Sequence, residues 1–451
     1  MERLYKIRKG LDLNLEGKAQ PNLKKFKIAG EYAILPCDFQ GLTPRLRVKE
    51  GEHVRVGTPL LVDKDTERVN IVAPVSGTVT KIVRGERRKL EQIVIAADEV
   101  QTSEDFGKID SSTASAEAAV DYLLKSGLFA FLRQRPYDVI ASPKFFPKSI
   151  FISAFNKMPL AADFNVVCQG REENFKAGVQ LLSRIAKVYI GIAPEQEGAA
   201  FVPTEGAEVN LFDGPNPSGN VGVQINHVCP INKGDVVWTL QPEVAIWIGH
   251  LVKTGNVDFT RRLAVAGSRI QTPQYAETPV GTSLRTLLKD ELCDDGTHTR
   301  IINGNPLVGR KSDTDDFVSA FSTEICAIPE GDDVHEVLGW IAPRFKEFST
   351  SRSYFSWLFG KKKAYNLDCR IKGGQRHMIM SAEYEKVFPM DIYPSYLVKA
   401  IITGDIDKQE ELGIYEVAPE DFAVAEFIDS SKLELQRIVR EGLDILRKEN
   451  A

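Results

Sequence analysis

Six cysteines are the first residues whose chemistry could matter, and their spacing argues against metal work. Cys37, Cys168, Cys229, Cys293, Cys326 and Cys369 include no CxxC or comparable knuckle, the short loop that pre-positions two thiolates for zinc or an iron–sulfur cluster. They read as buried free thiols in a reducing compartment. A second candidate is the glycine-rich run Asp213-Gly-Pro-Asn-Pro-Ser-Gly-Asn-Val-Gly-Val-Gln-Ile-Asn-His227. It contains neither G-x-G-x-x-G opening a helix nor G-x-x-x-x-G-K-[ST]. Pro215 and Pro217 remove two backbone donors that a phosphate nest would use, so a shaped structural loop is the expectation. No acid or nucleophile is placed beside His227 by sequence, which makes it a hydrogen-bonded structural histidine rather than a base. A third is Ser353-Tyr-Phe-Ser-Trp-Leu-Phe-Gly-Lys-Lys-Lys363, where four aromatics run into three lysines. Two readings stay open. It is a docking surface at a membrane headgroup region or on a membrane subunit, with Lys361, Lys362 and Lys363 meeting anionic lipid, or a hairpin with core aromatics and solvated lysines.

The elements that must position these residues begin with short β-runs cut by turns between Ala29 and Ala96. Arg47 to Leu61 alternates apolar and polar residues, with glycines where a chain reversal needs positive φ. Val69 to Val83 gives two more short strands about a Pro-Val-Ser-Gly turn. The order V-x-x-G-x-x-V-x-x-G-x-x-L, a hairpin, then Ala73-Pro-Val-Ser-Gly77 resembles the lipoyl/biotinyl-carrier sandwich. In those carriers a hairpin lysine about eight residues before the proline takes the prosthetic group. Here that position is Thr66, and Lys64 and Arg68 lack the carrier's context. The module reads as structural.

Gln101 to Ala118 is a polar connection. A helix is expected from Ala116 to about Arg133, on the spacing of Ala119, Val120, Leu123, Leu124 and Leu128. Buried strands are expected at Asp138–Ala141, Ser149–Ser153 and Lys187–Ile192, with a helix over Asn174–Ala186 packed on them, an alternation that argues for an α/β layer. Asp258 to Leu292 reads as a strand, a turn at Gly267, a proline-centred loop and a helix capped by Thr282 or Ser283. That order resembles the SLBB module, a ubiquitin-like binding fold. Tyr384 to Ala451 looks helical, with Ser430 or Ser431 capping the final helix. The expected fold class is α/β multi-domain: a lipoyl/biotinyl-like barrel-sandwich over 1–100, a central Rossmann-like α/β domain over 115–257, an SLBB-like module over 258–345 and a mainly helical region over 346–451.

Composition narrows the partners. The 451 residues carry 57 Lys+Arg against 62 Asp+Glu, a formal net charge of −5. A duplex-binding surface needs a cation excess to displace counterions, so nucleic acid is not an expected partner. The N-terminus lacks the apolar core of a signal peptide. The most apolar long run, Val236–Val252, is interrupted by Gln241, Pro242, Glu243 and His250, too short and polar for a span of about 20 residues. Any membrane contact is expected to be peripheral.

Several segments together resemble one family. Ile7-Arg-Lys-Gly-Leu-Asp-Leu-Asn-Leu-Glu-Gly17, Ala73–Gly77, Gly214–His227, Val265-Ala-Gly-Ser-Arg269, Ser351–Trp357, Phe388-Pro-Met-Asp-Ile-Tyr-Pro394 and Gly404–Gly413 are similar to the A-subunit family of bacterial sodium-translocating NADH:quinone reductases. The family shares its architecture with the flavin- and NADH-binding subunit of respiratory complex I and with the C-type subunit of the Rnf complex. Those relatives carry a flavin loop and a C-terminal cysteine cluster. Neither is recognisable here, and Val424–Lys432 contains no cysteine. A covalent flavin attachment motif is also lacking; Ser76-Gly-Thr-Val-Thr80 is better explained as a hairpin turn. The resemblance implies a peripheral subunit on the cytoplasmic face of the bacterial inner membrane, in a complex that passes electrons from NADH to ubiquinone and exports sodium. Because the chain has no motif for a redox centre, no FMN, Fe–S cluster, metal or catalytic residue is expected in it; the resemblance implies partners among the other subunits, chiefly the quinone-site membrane subunit. Ubiquinone is the small molecule it could help to hold. Planar quinone heads stack on aromatics and accept hydrogen bonds, which points to Pro217, Gly219, Gly222, His227, Tyr354, Phe355 and Trp357. A pure partner-binding scaffold with no small-molecule site is the alternative, and an independent flavin or NADH enzyme a third.

Overall fold

The computed structural model describes residues 3–203, 205–332, 334, 343–360, 363–379 and 382–450. Its central sheet grows from the continuous apolar runs, which suit strands buried on both faces. Ser149–Ser153 pairs in parallel with Lys187–Ile192 on one side and with Val237–Leu240 on the other; Lys187–Ile192 then pairs in parallel with Ala207–Asp213. The antiparallel strands Arg133–Arg135 and Val139–Ile140 extend one edge. Helices Glu172–Ser183 and Pro242–Thr254 pack together at Gly178 and Gly249. A methyl on either glycine would lie within 2 Å of the other helix's carbonyl oxygen, at Ala245 and Asn174 respectively. The glycines thus set a close helix–helix approach.

The other edge of that sheet is Arg3–Lys6, paired in parallel with Ala207–Asp213. Gln20–Lys25 likewise joins a different, six-stranded sheet, beside Gln274–Pro279. These two strands thus pair with distant sheets and not with the strands between Glu31 and Ala97. The sandwich's own strands run from Glu31–Ile34 to Leu90–Ala97, in one four-stranded and one three-stranded sheet. Its hairpin tip, between Pro59–Asp63 and Asn70–Val72, is a closed turn. The buried Asp63 carboxylate accepts from the Thr66 amide at 3.0 Å, the Thr66 hydroxyl at 2.7 Å and the Thr43 amide at 3.0 Å. Arg68 ties the tip to Asp121 on helix Ala116–Ser126 at 2.5 Å.

That helix is shorter than its apolar spacing suggests. It stops at Gly127, which is left-handed (φ +77°) and whose missing Cβ leaves room for the Val72 side chain; a single 3-10 turn, Leu128–Phe131, follows. The SLBB-like portion shows the expected strand Thr260–Ala266, the reversal at Gly267, strand Gln274–Pro279 and a one-turn helix, Leu284–Leu287, whose start at Ser283 makes no side-chain capping bond. Thr299–Asn303, Arg310–Ser312 and Glu324–Pro329 complete its sheet. The C-terminal region is helical from Tyr384, and its last helix is Leu435–Glu449. Ser430 and Ser431 do not cap it. They lie in the preceding turn, where the Asp429 carboxylate accepts from the Ser431 and Leu433 amides.

Candidate ligand cavity

The chain runs outward from Ser149–Ser153 to Lys187–Ile192 and Ala207–Asp213, then returns to pair as Val237–Leu240 on the opposite side of its starting strand. The sheet order thus reverses between two adjacent parallel strands. A crevice opens outside their carboxyl ends, the place where doubly wound sheets hold ligands. A cavity of about 550 Å³ lies there, within the size range of small-molecule sites, bounded by Ser153 and Ala154 from one strand and Thr239 and Leu240 from the other. The helix starts at Asn220–Val221 and Gln241–Pro242 face it.

Its remaining walls come from far along the chain: Cys37 to Gln40 after the first sandwich strand, Asn303 to Arg310 and Ser319 to Glu324 from the SLBB-like sheet, and Glu420, Gln436 and Arg440 from the C-terminal helices. Side-chain amides bind these parts together. Asn305 donates to the Pro159 carbonyl at 2.7 Å, Gln241 to Phe321 at 2.6 Å, and Gln436 to Leu307 at 2.9 Å. Phe131 and Phe321 pack ring to ring, and the Arg133 guanidinium lies 4.7 Å over the Phe321 ring. The Gln40 side-chain amide makes no hydrogen bond among the described residues and is left to the cavity.

Charge in the walls is balanced. Arg133, Arg135, Arg262, Arg310 and Arg440 face Asp38, Asp138, Glu243, Glu324 and Glu420. Burying an ion is tolerable only with a partner; Arg310 has Asp38, while Arg262 pairs with Glu277 and Glu243 with Arg171 and Arg261, all three outside the wall. Arg135, 1% exposed, donates to Glu420 at 3.1 Å and to Asp421 at 3.3 Å, with Asp138 at 3.9 Å. Burial alone would raise Asp138, but Arg133, Arg135 and Arg440 outweigh it and hold its carboxyl below the usual range. The Asp421 carboxyl is raised by burial, with Arg135 opposing. Glu420 keeps 39% of its side chain accessible while lining the cavity, so protein encloses it on most sides and burial pushes it up to about 7. Glu324, deep in the wall, is also raised by burial; it accepts from the Thr323 hydroxyl at 2.6 Å.

Of the seven residues singled out for a quinone head, the cavity wall includes Gly219 alone. Pro217 sits just before it in a loop clamped by the N-terminal segment: Leu11 donates to the Asn216 carbonyl at 2.7 Å and the Asn216 amide donates to Asp12 at 2.9 Å. Gly222 faces the Asp421 carboxylate. His227 is turned away: its Nδ1 lies 2.8 Å from the Val223 carbonyl and its ring meets Tyr5 edge-on. Tyr354, Phe355 and Trp357 form a separate surface group around a 3-10 turn, Phe355–Phe359, and not a hairpin. Phe355, Trp357, Leu358 and Phe359 are 45–61% exposed there. Lys363 reaches over the Phe359 ring at 4.6 Å; Lys361 and Lys362 lie outside the described residues. The polar wall residues Asp38, Arg135, Arg310 and Glu420 are not among those the sequence singles out. Of these, Arg135 alone has a sequence signal, Arg133-x-Arg135-x-x-Asp138, charges set in an otherwise apolar stretch.

Three family descriptions match the chain in order: "NqrA N-terminal barrel-sandwich hybrid domain" over residues 5–98, "NqrA second alpha/beta domain" over 114–257 and "NQRA C-terminal domain" over 263–314. The A-type subunit of the Na(+)-translocating NADH-quinone reductase of Saccharophagus degradans is 33% identical over 99% of this chain and 100% of its own length. This chain belongs to that A-subunit family. The corresponding subunits of Neisseria meningitidis serogroup B, at 33% identity over 99% of this chain and 100% of theirs, and of Rhodopirellula baltica, at 32% over 99% of each, agree. The family is that of one component of a sodium-translocating NADH:quinone reductase, and its barrel-sandwich and α/β domains are the ones described above. An air-oxidised NAD+-reducing [NiFe]-hydrogenase superposes on 77% of this chain and 72% of its own with a TM-score of 0.37 at 13% identity. Among the described residues no helix is long and apolar enough to cross a membrane, and no group of three or more His, Cys, Asp or Glu side chains is placed to hold a metal.

Proposed function

We propose that this chain is a non-redox, peripheral subunit of the sodium-translocating NADH:quinone reductase and that its switch-point cavity takes a quinone head. The balance of charge in the cavity carries the reading. Carboxyls interleave with the five wall arginines and engage their donors, as Asp38 does for Arg310 and Glu420 for Arg135, which leaves little for a polyanionic dinucleotide, while phenylalanine walls and amide donors suit a neutral planar ring with two carbonyl acceptors. Phe131 and Phe321 are the stacking faces, and Gln40 is the donor for one carbonyl. This places the quinone beside Gly219 and away from His227, Tyr354, Phe355 and Trp357. The exposed aromatic group around Trp357, with Lys363 beside it, serves as the docking face toward the membrane subunit, which sets the chain on the cytoplasmic side of the bacterial inner membrane. Electrons pass through other subunits, and neither FMN nor an Fe–S cluster is assigned here.

Titrating the purified chain with a short-chain ubiquinone tests the cavity. Saturable binding weakened at least tenfold by Phe321→Ala or Gln40→Ala is the expected result. Absence of saturable binding to the isolated chain, together with undiminished binding by the assembled complex carrying those substitutions, defeats the quinone site in favour of a scaffold.

A further inference from the structure

The quinone reading gives one ring carbonyl to Gln40 and leaves the other without a partner. Glu420 is the wall group placed to meet it. It sits in the 3-10 turn Pro419–Phe422, and its backbone carbonyl accepts from the Asn220 side chain at 3.1 Å, which sets it against the Gly219–Asn220 wall. Arg133 connects it to the stacking face, since that guanidinium lies 4.7 Å over the Phe321 ring and its charge acts on Glu420. Glu420 Oε1 accepts from Arg135 at 3.1 Å. Its Oε2 makes no hydrogen bond among the described residues, on a side chain that is 39% accessible. The other acids of the wall are committed. Asp38 accepts from the Ala320 amide at 2.7 Å and meets Arg310 at 3.4 Å, Glu324 accepts from the Thr323 hydroxyl, Asp138 lies among Arg133, Arg135 and Arg440, and Glu243 accepts from Arg171 and Arg261.

The charged groups facing Glu420 are Arg133 and Arg135 from their strand, Asp138 from the turn after it and Asp421 from the same 3-10 turn. From the helices packed beside that turn, Arg440 is directed at Asp138 and Glu426 accepts from the Gln436 amide. Burial raises the Glu420 carboxyl to about 7, Arg135 and Arg133 opposing and Asp421 and Asp138 adding to the rise. Both of its protonation states are therefore present near neutral pH, and they recognise different partners. A protonated acid can donate a hydrogen bond, whereas a carboxylate only accepts. A quinone carbonyl only accepts, whereas a quinol hydroxyl can donate.

We infer that Glu420 sets which redox form of the quinone the cavity prefers: neutral Glu420 donates to a carbonyl of the oxidised ring, and ionised Glu420 accepts from a hydroxyl of the quinol. Arg135 holds the carboxylate in place in its ionised state. The inference rests on the quinone reading of the cavity and adds a direction to it, with quinone favoured below neutral pH and quinol above.

The test is anaerobic titration of a short-chain ubiquinone, and of its dithionite-reduced quinol, into the purified chain, or into the assembled complex if the chain alone binds neither. The titrations run between about pH 6 and 8, where the phenolic hydroxyls of the quinol stay protonated, so that a pH effect belongs to the protein. The ratio of the quinone to the quinol dissociation constant is expected to rise about tenfold over that range, the scale of one charge-assisted hydrogen bond. In Glu420→Gln the ratio is expected to stay level; Glu420→Ala replaces that variant if it does not fold. A wild-type ratio that does not rise, or an equal rise in the variant, overturns the inference and leaves the quinone cavity standing. Binding of neither form to the chain or the complex removes the quinone reading and this inference together.

Discussion

Arg135 and Asp421 form a fully buried ion pair, 3.3 Å apart, between the last strand but one of the central sheet and the C-terminal helices. The same guanidinium also meets Glu420 and Asp138; Asp138 keeps Arg133 and Arg440, so loss of Arg135 would strand Asp421 and Glu420 in a poorly solvated junction. Removing one member of a buried pair typically costs about 3–5 kcal/mol, since the partner is left charged and unpaired. Arg135→Ala is expected to lose stability on that scale in urea unfolding, and amide exchange should rise first across 419–449. A loss below about 1 kcal/mol would show that the carboxyls simply take up protons.

The same junction makes stability depend on pH. Glu420 ionises near 7 in the folded chain because burial raises it from 4.5, whereas in the unfolded chain it ionises at the lower, ordinary value. Between those two pH values the folded state binds more protons, so stability falls as pH rises. The contribution is complete at about pH 4.5, shrinks through pH 5–7, and is flat above that. Partial exposure of Glu420 screens the effect, so the decline is shallow. Glu420→Gln is expected to flatten the denaturation midpoint between pH 5 and 7.5, and an unchanged slope in that variant would assign the dependence to another group.

Much of the fold follows from local pattern. Ile150–Ile152 and Val188–Ile192 are apolar runs because both faces of a parallel sheet are covered, and a run of that kind is visible without any partner. The helix from Ala116 ends before its pattern does. Leu128 keeps the apolar spacing, while the ending depends on Val72 filling the space at Gly127, a contact between segments 55 residues apart in sequence. Arg3–Lys6 and Gln20–Lys25 carry no signal for the distant sheets they join, since pairing with Ala207–Asp213 and Gln274–Pro279 is decided by the closed fold. The cavity is hidden for the same reason. Its polar wall is made of isolated charges and amides scattered between Asp38 and Arg440, each ordinary where it stands.

The hairpin that would carry a prosthetic group is held down at both its turn and its flank. Asp63 is 3% exposed and accepts three hydrogen bonds, so Asp63→Ala leaves the Thr43 and Thr66 amides without their acceptor. A loss of about 1–3 kcal/mol is expected by chemical denaturation. Intact mass should show no lipoyl or biotinyl addition at Lys64 or elsewhere; a mass increment of either group would reinstate the carrier reading.

The aromatic group of the C-terminal third is the feature whose two readings the structure separates most clearly. Core aromatics of a hairpin would be covered, whereas Trp357 is 45% and Leu358 61% exposed, with Phe345 at 46% close to the Phe355 and Phe359 rings. An exposed apolar cluster of this kind marks a contact surface, and the cations beside it add attraction to an acidic or anionic-lipid partner. Arg352 and Lys363 already lie over the Trp357 and Phe359 rings. Charge reversal at Lys361, Lys362 and Lys363 together with Trp357→Ser is therefore expected to release the chain from bacterial membranes at salt concentrations that retain the wild type, with its unfolding free energy changed by less than about 1 kcal/mol because Trp357 is 45% exposed. Charge reversal without the tryptophan change should make retention more salt-sensitive, and Trp357→Ser alone should weaken it at every salt concentration. Full retention of the combined variant on membranes would place the docking face elsewhere on the chain.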